Sequence, residues 1–298
     1  MLRRFLRHPV REFFQARLGV RFETADTGGD EREPFAVDSL GRFAMADTLL
    51  RAALRSEGSA VAAIDDAAAK LQRSGALPMG GFAAPVRADL EAIAGAVYGR
   101  FVVERRAWPH EAGKREIRIE VDGMAIEDWL ADLRGNDQGQ LAAFLLSPSN
   151  VLDADGGPRA HRLVMPWVDH LVAQAAGLAV VTRYIGPDAT IVLEPLAADD
   201  AMAMLLTLVR AWREGMARPR PVAVKTALAW LNARSPEEAP QAARATYEAT
   251  HERTYGELDG DPYLLRAYPD FASLMQAGFA DCLDPYRDFL GTLRVEVS

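Results

Sequence analysis

Cysteine is all but missing: Cys282 is the one thiol in 298 residues. That excludes a disulfide framework within the chain and any cysteine-built zinc or iron–sulfur centre. A reducing cytoplasm is the compartment it predicts. Long apolar runs are missing too, and no stretch approaches the roughly 18 residues of a spanning helix. The opening residues, MLRRFLRHPVREFF, have neither the apolar centre nor the small-residue cleavage site of a secretory signal. Histidine is scarce. His8, His110, His161, His170 and His251 never fall three or four residues apart, so ligation of a metal from one helix face is not expected. Cations are in deficit, 34 Lys and Arg against 42 Asp and Glu, a formal net charge of −8. Over the whole chain, that balance opposes the phosphate neutralisation a free-standing nucleic-acid binder needs.

What remains is the composition of a folded domain, 49 % hydrophobic and 26 % charged, with length for one large domain or two smaller ones. The charge is unevenly placed. Met1 to Phe22 holds six arginines and one acid, Glu12. Arg210 to Lys225 holds four arginines, one lysine and Glu214. From Ser235 to Ser298, twelve acids face five arginines. A basic cluster is ordinarily a solvated helix face; the sharper reading is contact with a phosphate backbone or an acidic partner.

Periodicity divides the chain into a helical region (1–112), a sheet core (113–197) and a second helical region (198–298). A first helix is expected over Arg3 to Leu18, with Pro9 tolerated in its early turns. The polar loop Ala25 to Pro34 is expected to be exposed. Helices follow from a cap at Asp38 or Ser39 to Ser56, over Ala60 to Arg73, and from Pro85 to Arg106. REIRIEV (Arg115 to Val121) alternates as a half-buried strand, and Asp122-Gly123 is a hairpin turn into Met124 to Leu133. Gln140 to Leu146 is a central strand by its apolar run. A helix over Arg159 to Ala175 leads to strands Ala179 to Tyr184 and Thr190 to Leu196. Helices over Asp199 to Met216, Lys225 to Ala233, Glu237 to Arg253, Pro262 to Tyr268 and, with interruptions, Phe271 to Leu293 complete the chain. Asp199 and Asp200 suit a helix N-terminus, not a catalytic pair. The expected fold is α/β (α+β), a mixed sheet flanked by helices with helical extensions at both ends.

Several chemistries are absent. There is no G-x-S-x-G elbow and no phosphate-binding P-loop; Gly80-Gly81 reads as a turn. Asp153-Ala-Asp155-Gly156 resembles a calcium loop, but Val151 and Arg162 stand at its first and twelfth positions, so it too reads as a turn. Four of the five tryptophans (Trp129, Trp167, Trp212, Trp230) fall in expected regular elements and are assigned to the core. Trp108, near Arg105, Arg106, Lys114 and Arg115, is the exception that invites a functional reading. One constellation survives. The order helix–strand–strand–strand–helix–strand is that of a metal-dependent nuclease of the D…(D/E)-x-K type, with Asp132 at the first acidic position. The second acid and the lysine would fall at Ser147 and Ser149. Two serines there leave no second carboxylate for a magnesium ion and no cation for the developing charge.

Five segments carry a family resemblance. RHPVREFFQARLGV (Arg7 to Val20) and EPFAVDSLGRFAMADTLL (Glu33 to Leu50) resemble the start of the C-terminal domain of the exodeoxyribonuclease V gamma subunit, the RecC family. GALPMGGF (Gly75 to Phe82) is similar to that family's Leu-Pro-x-Gly-x-Phe segment. KTALAWL (Lys225 to Leu231) with DPYLLRAYPDFASL (Asp261 to Leu274) resembles its last helical region. The resemblance implies a restriction-endonuclease-like fold that is catalytically degenerate, without an activity of its own. It implies a scaffold in a RecBCD helicase–nuclease that contacts RecB-like and RecD-like subunits and helps split and guide DNA in double-strand-break repair. No cofactor is then expected in this domain, with ATP and magnesium confined to the partner subunits. The candidate DNA contacts are Arg3, Arg4, Arg7, Arg11, Arg105, Arg106, Lys114, Arg218 and Arg220. Two alternatives stand beside it: an active nuclease with Asp153 or Asp155 as the migrated acid and Lys114 or Arg162 as its cation, or a docking module without DNA contact.

Overall fold

The computed structural model describes residues 1–22, 38–78, 80–248 and 255–296. The loop expected at Ala25 to Pro34 lies outside them, as do His251 and the end of the helix expected to run to Arg253.

The first helix is not continuous. It divides into α1 (Leu2–Arg7) and α2 (Pro9–Glu12), followed by a π turn, Phe13–Arg17. His8 between them leaves the helical region, φ −148° and ψ 73°. Proline forces this, because its ring disfavours helical geometry in the residue before it. Next come α3 (Ser39–Arg55), capped by the Asp38 carboxylate on the Gly41 amide at 2.7 Å, then α4 (Ala60–Arg73) and α5 (Ala83–Arg105).

Strands β1 (His110–Val121) and β2 (Met124–Gly135) form a long hairpin, with Asp122 and Gly123 both at positive φ as a two-residue turn demands. After β3 (Leu141–Leu146) the chain makes a 3-10 turn (Ala160–Arg162), crosses through α6 (Val164–Ala175), and returns as β4 (Val180–Ile185) and β5 (Thr190–Leu193). The C-terminal part supplies α7 (Ala198–Ala217), α8 (Val224–Leu231), α9 (Ala239–Tyr247), α10 (Pro262–Ala267), α11 (Phe271–Gln276), α12 (Asp284–Gly291) and a strand, β6 (Leu293–Glu296). The periodicity reads Leu293 as the end of a helix; the chain there instead pairs with β5 as a strand. Asp153 accepts the amides of Asp155 and Gly157, which makes its loop the expected turn.

The six strands lie in the order β1-β2-β3-β4-β5-β6. All neighbours are antiparallel except β3 and β4, which the α6 crossover makes parallel. Alternation along β5 serves two layers. Ile191 and Leu193 enter the larger core with α1, α6, α7 and the C-terminal helices. Val192 faces the other way, with Trp108, Ala142 and Val181. Helices α3, α4 and α5 pack around Ile185, Phe144 and Leu146. Arg183 on β4 pairs with Glu104 of α5 at 2.6 Å and Glu296 of β6 at 2.5 Å, tying three segments together. Among the described residues no helix is long and apolar enough to cross a membrane.

Two tryptophans depart from expectation. Trp108 is buried in the sheet's second layer and is a packing residue. Trp129, assigned to the core, is 60 % exposed on the hairpin, across from Glu116.

Candidate functional site

Although β2 spans twelve residues, it pairs with β3 only from Leu133 to Gly135. The cause is a break in register on its other side. Gly113 of β1 faces Leu133, but Arg115 faces Leu130, so β2 carries an extra residue there. Asp132 occupies the irregularity at φ 57°, opposite Gly113 at φ 67°. Aspartate tolerates the left-handed region better than most residues, and a bulge of this kind bends a strand and re-aims its side chains.

Beside the bulge lies a cleft of about 500 Å³ between the hairpin, β3 and α5. Asp132, Glu111, Lys114, Arg105, Arg134, Phe101, Phe144 and Leu146 line it. Phe144 and Leu146 are two apart on a strand and so share one face. The Phe144 ring meets Phe101 edge-on, with centroids 5.5 Å apart. The Arg105 guanidinium lies 5.7 Å from the Phe101 centroid. Arg134 donates from Nε to the Trp108 carbonyl at 2.6 Å. Burial, then the neighbouring Arg105, lowers its pKa, yet a guanidinium stays charged at neutral pH. Lys114 and Arg106 are exposed and, among the described residues, have no ion-pair partner.

Ser147 and Ser149 do not join this group. Ser147 is buried, its amide bonded to the Ile185 carbonyl at 2.9 Å, and Ser149 donates its amide to Ser147 Oγ at 3.3 Å. Both lie past the end of β3, where β4 is the paired neighbour and β2 has already turned away. The β3 side chains facing the cleft with Asp132 are Phe144 and Leu146. Counting along the chain missed this because the bulge shortens the β2–β3 pairing. It also missed Glu111 and Arg134. The alternation that marks β1 starts only at Arg115, so His110 to Lys114 carried no strand signal.

The other candidate cations are placed differently. Arg3 pairs with Asp128 and Asp169, and Arg11 with Asp261 at 3.1 Å and with the Tyr263 ring. Arg7 donates to the His161 carbonyl. These three arginines bind α1 and α2 to the rest of the fold, so the +5 of the first 22 residues is not a free basic face. Arg4 is exposed, 3.6 Å from Glu12. Arg218 is exposed. Arg220 is buried, bonded to Glu214 at 2.7 Å and to the Cys282 carbonyl at 3.3 Å, and is withdrawn from any ligand. Asp153 and Asp155 border a different groove, with His161 and Lys225. They are not in the cleft with Asp132. Among the described residues, no three His, Cys, Asp or Glu side chains gather as a metal site would require.

Comparison with known proteins bears on the whole of this arrangement. A family model described as the RecC C-terminal domain matches residues 1–235. The RecBCD enzyme subunit RecC of Escherichia coli (strain K12) is 29 % identical over 238 residues, which cover 77 % of this chain and 19 % of that protein. The chain therefore spans about a fifth of the length of the curated relative it matches.

Proposed function

The chain belongs to the RecC C-terminal domain family, and from that premise we propose that it is a non-catalytic domain of a RecBCD-type helicase–nuclease acting in double-strand-break repair. In this reading it docks RecB-like and RecD-like subunits in the cytoplasm and contacts the DNA they process. Its fold is a restriction-endonuclease-like sheet that has lost its chemistry.

The cleft at Asp132 carries the proposal. A magnesium-dependent nuclease of this strand order needs an acid and a lysine on β3 facing the first acid. The cleft instead receives Phe144 and Leu146 from β3. Neither can ligate a cation or steady an attacking water, so β3 supplies none of the groups a magnesium ion needs there, and no cleavage step is derived through it. What the cleft does offer is Arg105, Lys114 and Arg134 beside two phenyl rings. Cations that track phosphates, with rings on which a base can stack, make a surface for a single strand.

The test is fluorescence anisotropy with a forked duplex, alongside a magnesium-dependent cleavage assay. Binding that weakens steeply with salt, and no cleavage, is the expected result. The double variant Arg105→Glu, Lys114→Glu is expected to bind about tenfold more weakly, since each charge is one phosphate contact. Cleavage by the purified chain that depends on Asp132 overturns the reading.

One observation favours a second reading. Glu111 and Lys114 line the cleft with Asp132, which puts two carboxylates and a lysine on its walls. An active nuclease built on them would lose magnesium-dependent cleavage in both Glu111→Gln and Asp132→Asn.

A further inference from the structure

A second concave surface lies away from the Asp132 cleft. A groove of about 780 Å³ between the 3-10 turn at Ala160–Arg162 and α8 is bordered by Arg159, His161 and Lys225. Lys225 also lines a hollow of about 240 Å³ together with Arg7 and His8. Arg7 connects the two, since its guanidinium donates to the His161 carbonyl.

The cations that border the groove are not tied up in ion pairs. Among the described residues no carboxylate reaches ion-pair distance of Arg7, Arg159, Arg162 or Lys225. The acids nearby are engaged elsewhere. Glu257 accepts the amides of Lys225 and Thr226 at 3.0 and 2.8 Å, which also fills the N-terminus of α8. Asp261 pairs with Arg11, and Asp153 is held by the amides of its own loop. Asp153, Asp155 and Glu238 are the exposed acids along the groove, and Glu257, Asp259 and Asp261 line the hollow. His161 registers the resulting field. Burial, then Lys225, Arg7, Arg162 and Arg159, holds its pKa at about 4. The imidazole is therefore neutral at pH 7 and can donate or accept without adding charge.

We propose that the groove around Arg159, His161 and Lys225 binds the phosphodiester backbone of a nucleic-acid strand, at a contact separate from the Asp132 cleft. The choice of polyanion rests on the functional reading above. The lining supports it over an acidic protein segment. A protein interface draws its affinity from apolar anchors, and none of the large exposed apolar side chains among the described residues lines this groove or the adjoining hollow. Cations without ion-pair partners at the border of an open groove suit a phosphate backbone.

The test uses the 298-residue chain and a fluorescent single-stranded oligo-dT, titrated by anisotropy across a range of salt. Arg159→Glu and Lys225→Glu are each expected to weaken binding about tenfold and to reduce the salt slope by about one phosphate. Far-UV circular dichroism confirms that the variants are folded. In the unaltered chain, the His161 imidazole resonances are expected to titrate at a higher pH once the strand is bound, since a phosphate favours the imidazolium. Lys114→Glu separates the two sites. Weaker binding in Arg159→Glu and Lys225→Glu supports this groove, and weaker binding in Lys114→Glu as well shows that the cleft is a second contact. Unchanged binding in both Arg159→Glu and Lys225→Glu overturns the groove, whatever Lys114→Glu does. Displacement of oligo-dT by poly-glutamate as readily as by unlabelled oligo-dT also overturns it, in favour of an acidic protein partner.

Discussion

The phenol of Tyr286 donates a 2.7 Å hydrogen bond to the carbonyl of Leu6, across 280 residues of sequence. Leu6 lies in the last turn of α1, where a carbonyl has no partner within the helix. The break at His8 and Pro9 therefore creates an orphan acceptor that the C-terminal helix α12 satisfies. Burial pushes the Tyr286 pKa up, so the hydroxyl remains a neutral donor. Tyr286→Phe leaves the carbonyl buried and unpaired. It is expected to lower stability by about 1–3 kcal/mol, read from the urea midpoint at unchanged slope. A midpoint equal to that of the unaltered chain would show that water replaces the phenol.

A neighbouring contact reverses a general rule. Gly215 lies inside α7, where alanine is ordinarily the better helix former by about 1 kcal/mol. A Cβ at Gly215 would run into the ring of Phe5, which is 1 % exposed and has nowhere to go. Gly215→Ala is expected to destabilise by about 1–3 kcal/mol through overpacking. Adding Phe5→Leu should recover part of that loss, because the two changes share one contact. Thermal melts of the single and double variants decide it; a rise in Tm for Gly215→Ala alone would refute the clash.

Arg220 separates structure from binding. It was a candidate DNA contact by its place in a basic stretch, but the folded chain turns it inward to Glu214 and the Cys282 carbonyl. Glu214 is itself well exposed, so the ion pair is weak, and most of the cost of Arg220→Ala comes from the lost buried bond and packing. A loss of about 1–2 kcal/mol in stability is expected, with affinity for a DNA strand unchanged. Weaker strand binding at full stability would return Arg220 to the interface.

These three contacts mark where the sequence could be read and where it could not. Helix and strand periods placed β2 to β5 and most helices within a few residues, and found β1 from Arg115 onward, because the burial of these elements follows their own repeat or apolar run. The cap at Asp38, the turn at Asp122-Gly123 and the acids opening α7 are local chemistry and were equally legible. Strand β6 was not, since Leu293–Glu296 is short and exposed, and only pairing with β5 makes it a strand. The partners of Arg3, Arg11 and Arg220 were illegible for the same reason. An arginine engaged by a carboxylate far along the chain looks, in sequence, like one facing solvent. The cleft was half legible. Asp132 was found by strand order, but the bulge that brings Phe144 and Leu146 to it is a matter of register.

His170 gives the chain an acid-side instability. It is buried on α6, with Nδ1 3.0 Å from Thr182 Oγ1 and Nε2 3.0 Å from the Glu194 carbonyl. A neutral ring that donates from Nε2 and accepts at Nδ1 satisfies both partners. Burial lowers its pKa from 6.5 to about 4, against a smaller rise from the Glu194 bond. The unfolded chain thus takes up its proton first as pH falls. The stabilisation is fully present above pH 6.5 and is lost progressively down to about pH 4, a contribution of about 1–3 kcal/mol. Urea titrations at several pH values should show stability rising from pH 4 to 6.5, and a smaller rise in His170→Gln. An equal slope in that variant would move the effect to His8 or His161, which are also held at about 4.

Asp132 offers the sharpest contrast between a strand-binding cleft and a catalytic one. Its φ of 57° suits asparagine nearly as well as aspartate, so Asp132→Asn removes the charge with little backbone strain. In a cleft that receives phosphates between Lys114, Arg105 and Arg134, the carboxylate repels the ligand. Its removal is therefore expected to tighten single-strand binding about two- to threefold at low salt, an effect that fades as salt screens it. In a metal-dependent active site the same carboxylate would be a ligand, and its loss would weaken any magnesium-assisted binding and abolish cleavage. Anisotropy with and without magnesium distinguishes the two. Tighter binding in Asp132→Asn, independent of magnesium, fits the strand-guiding reading. Binding that needs magnesium in the unaltered chain and disappears in the variant would make Asp132 a metal ligand after all.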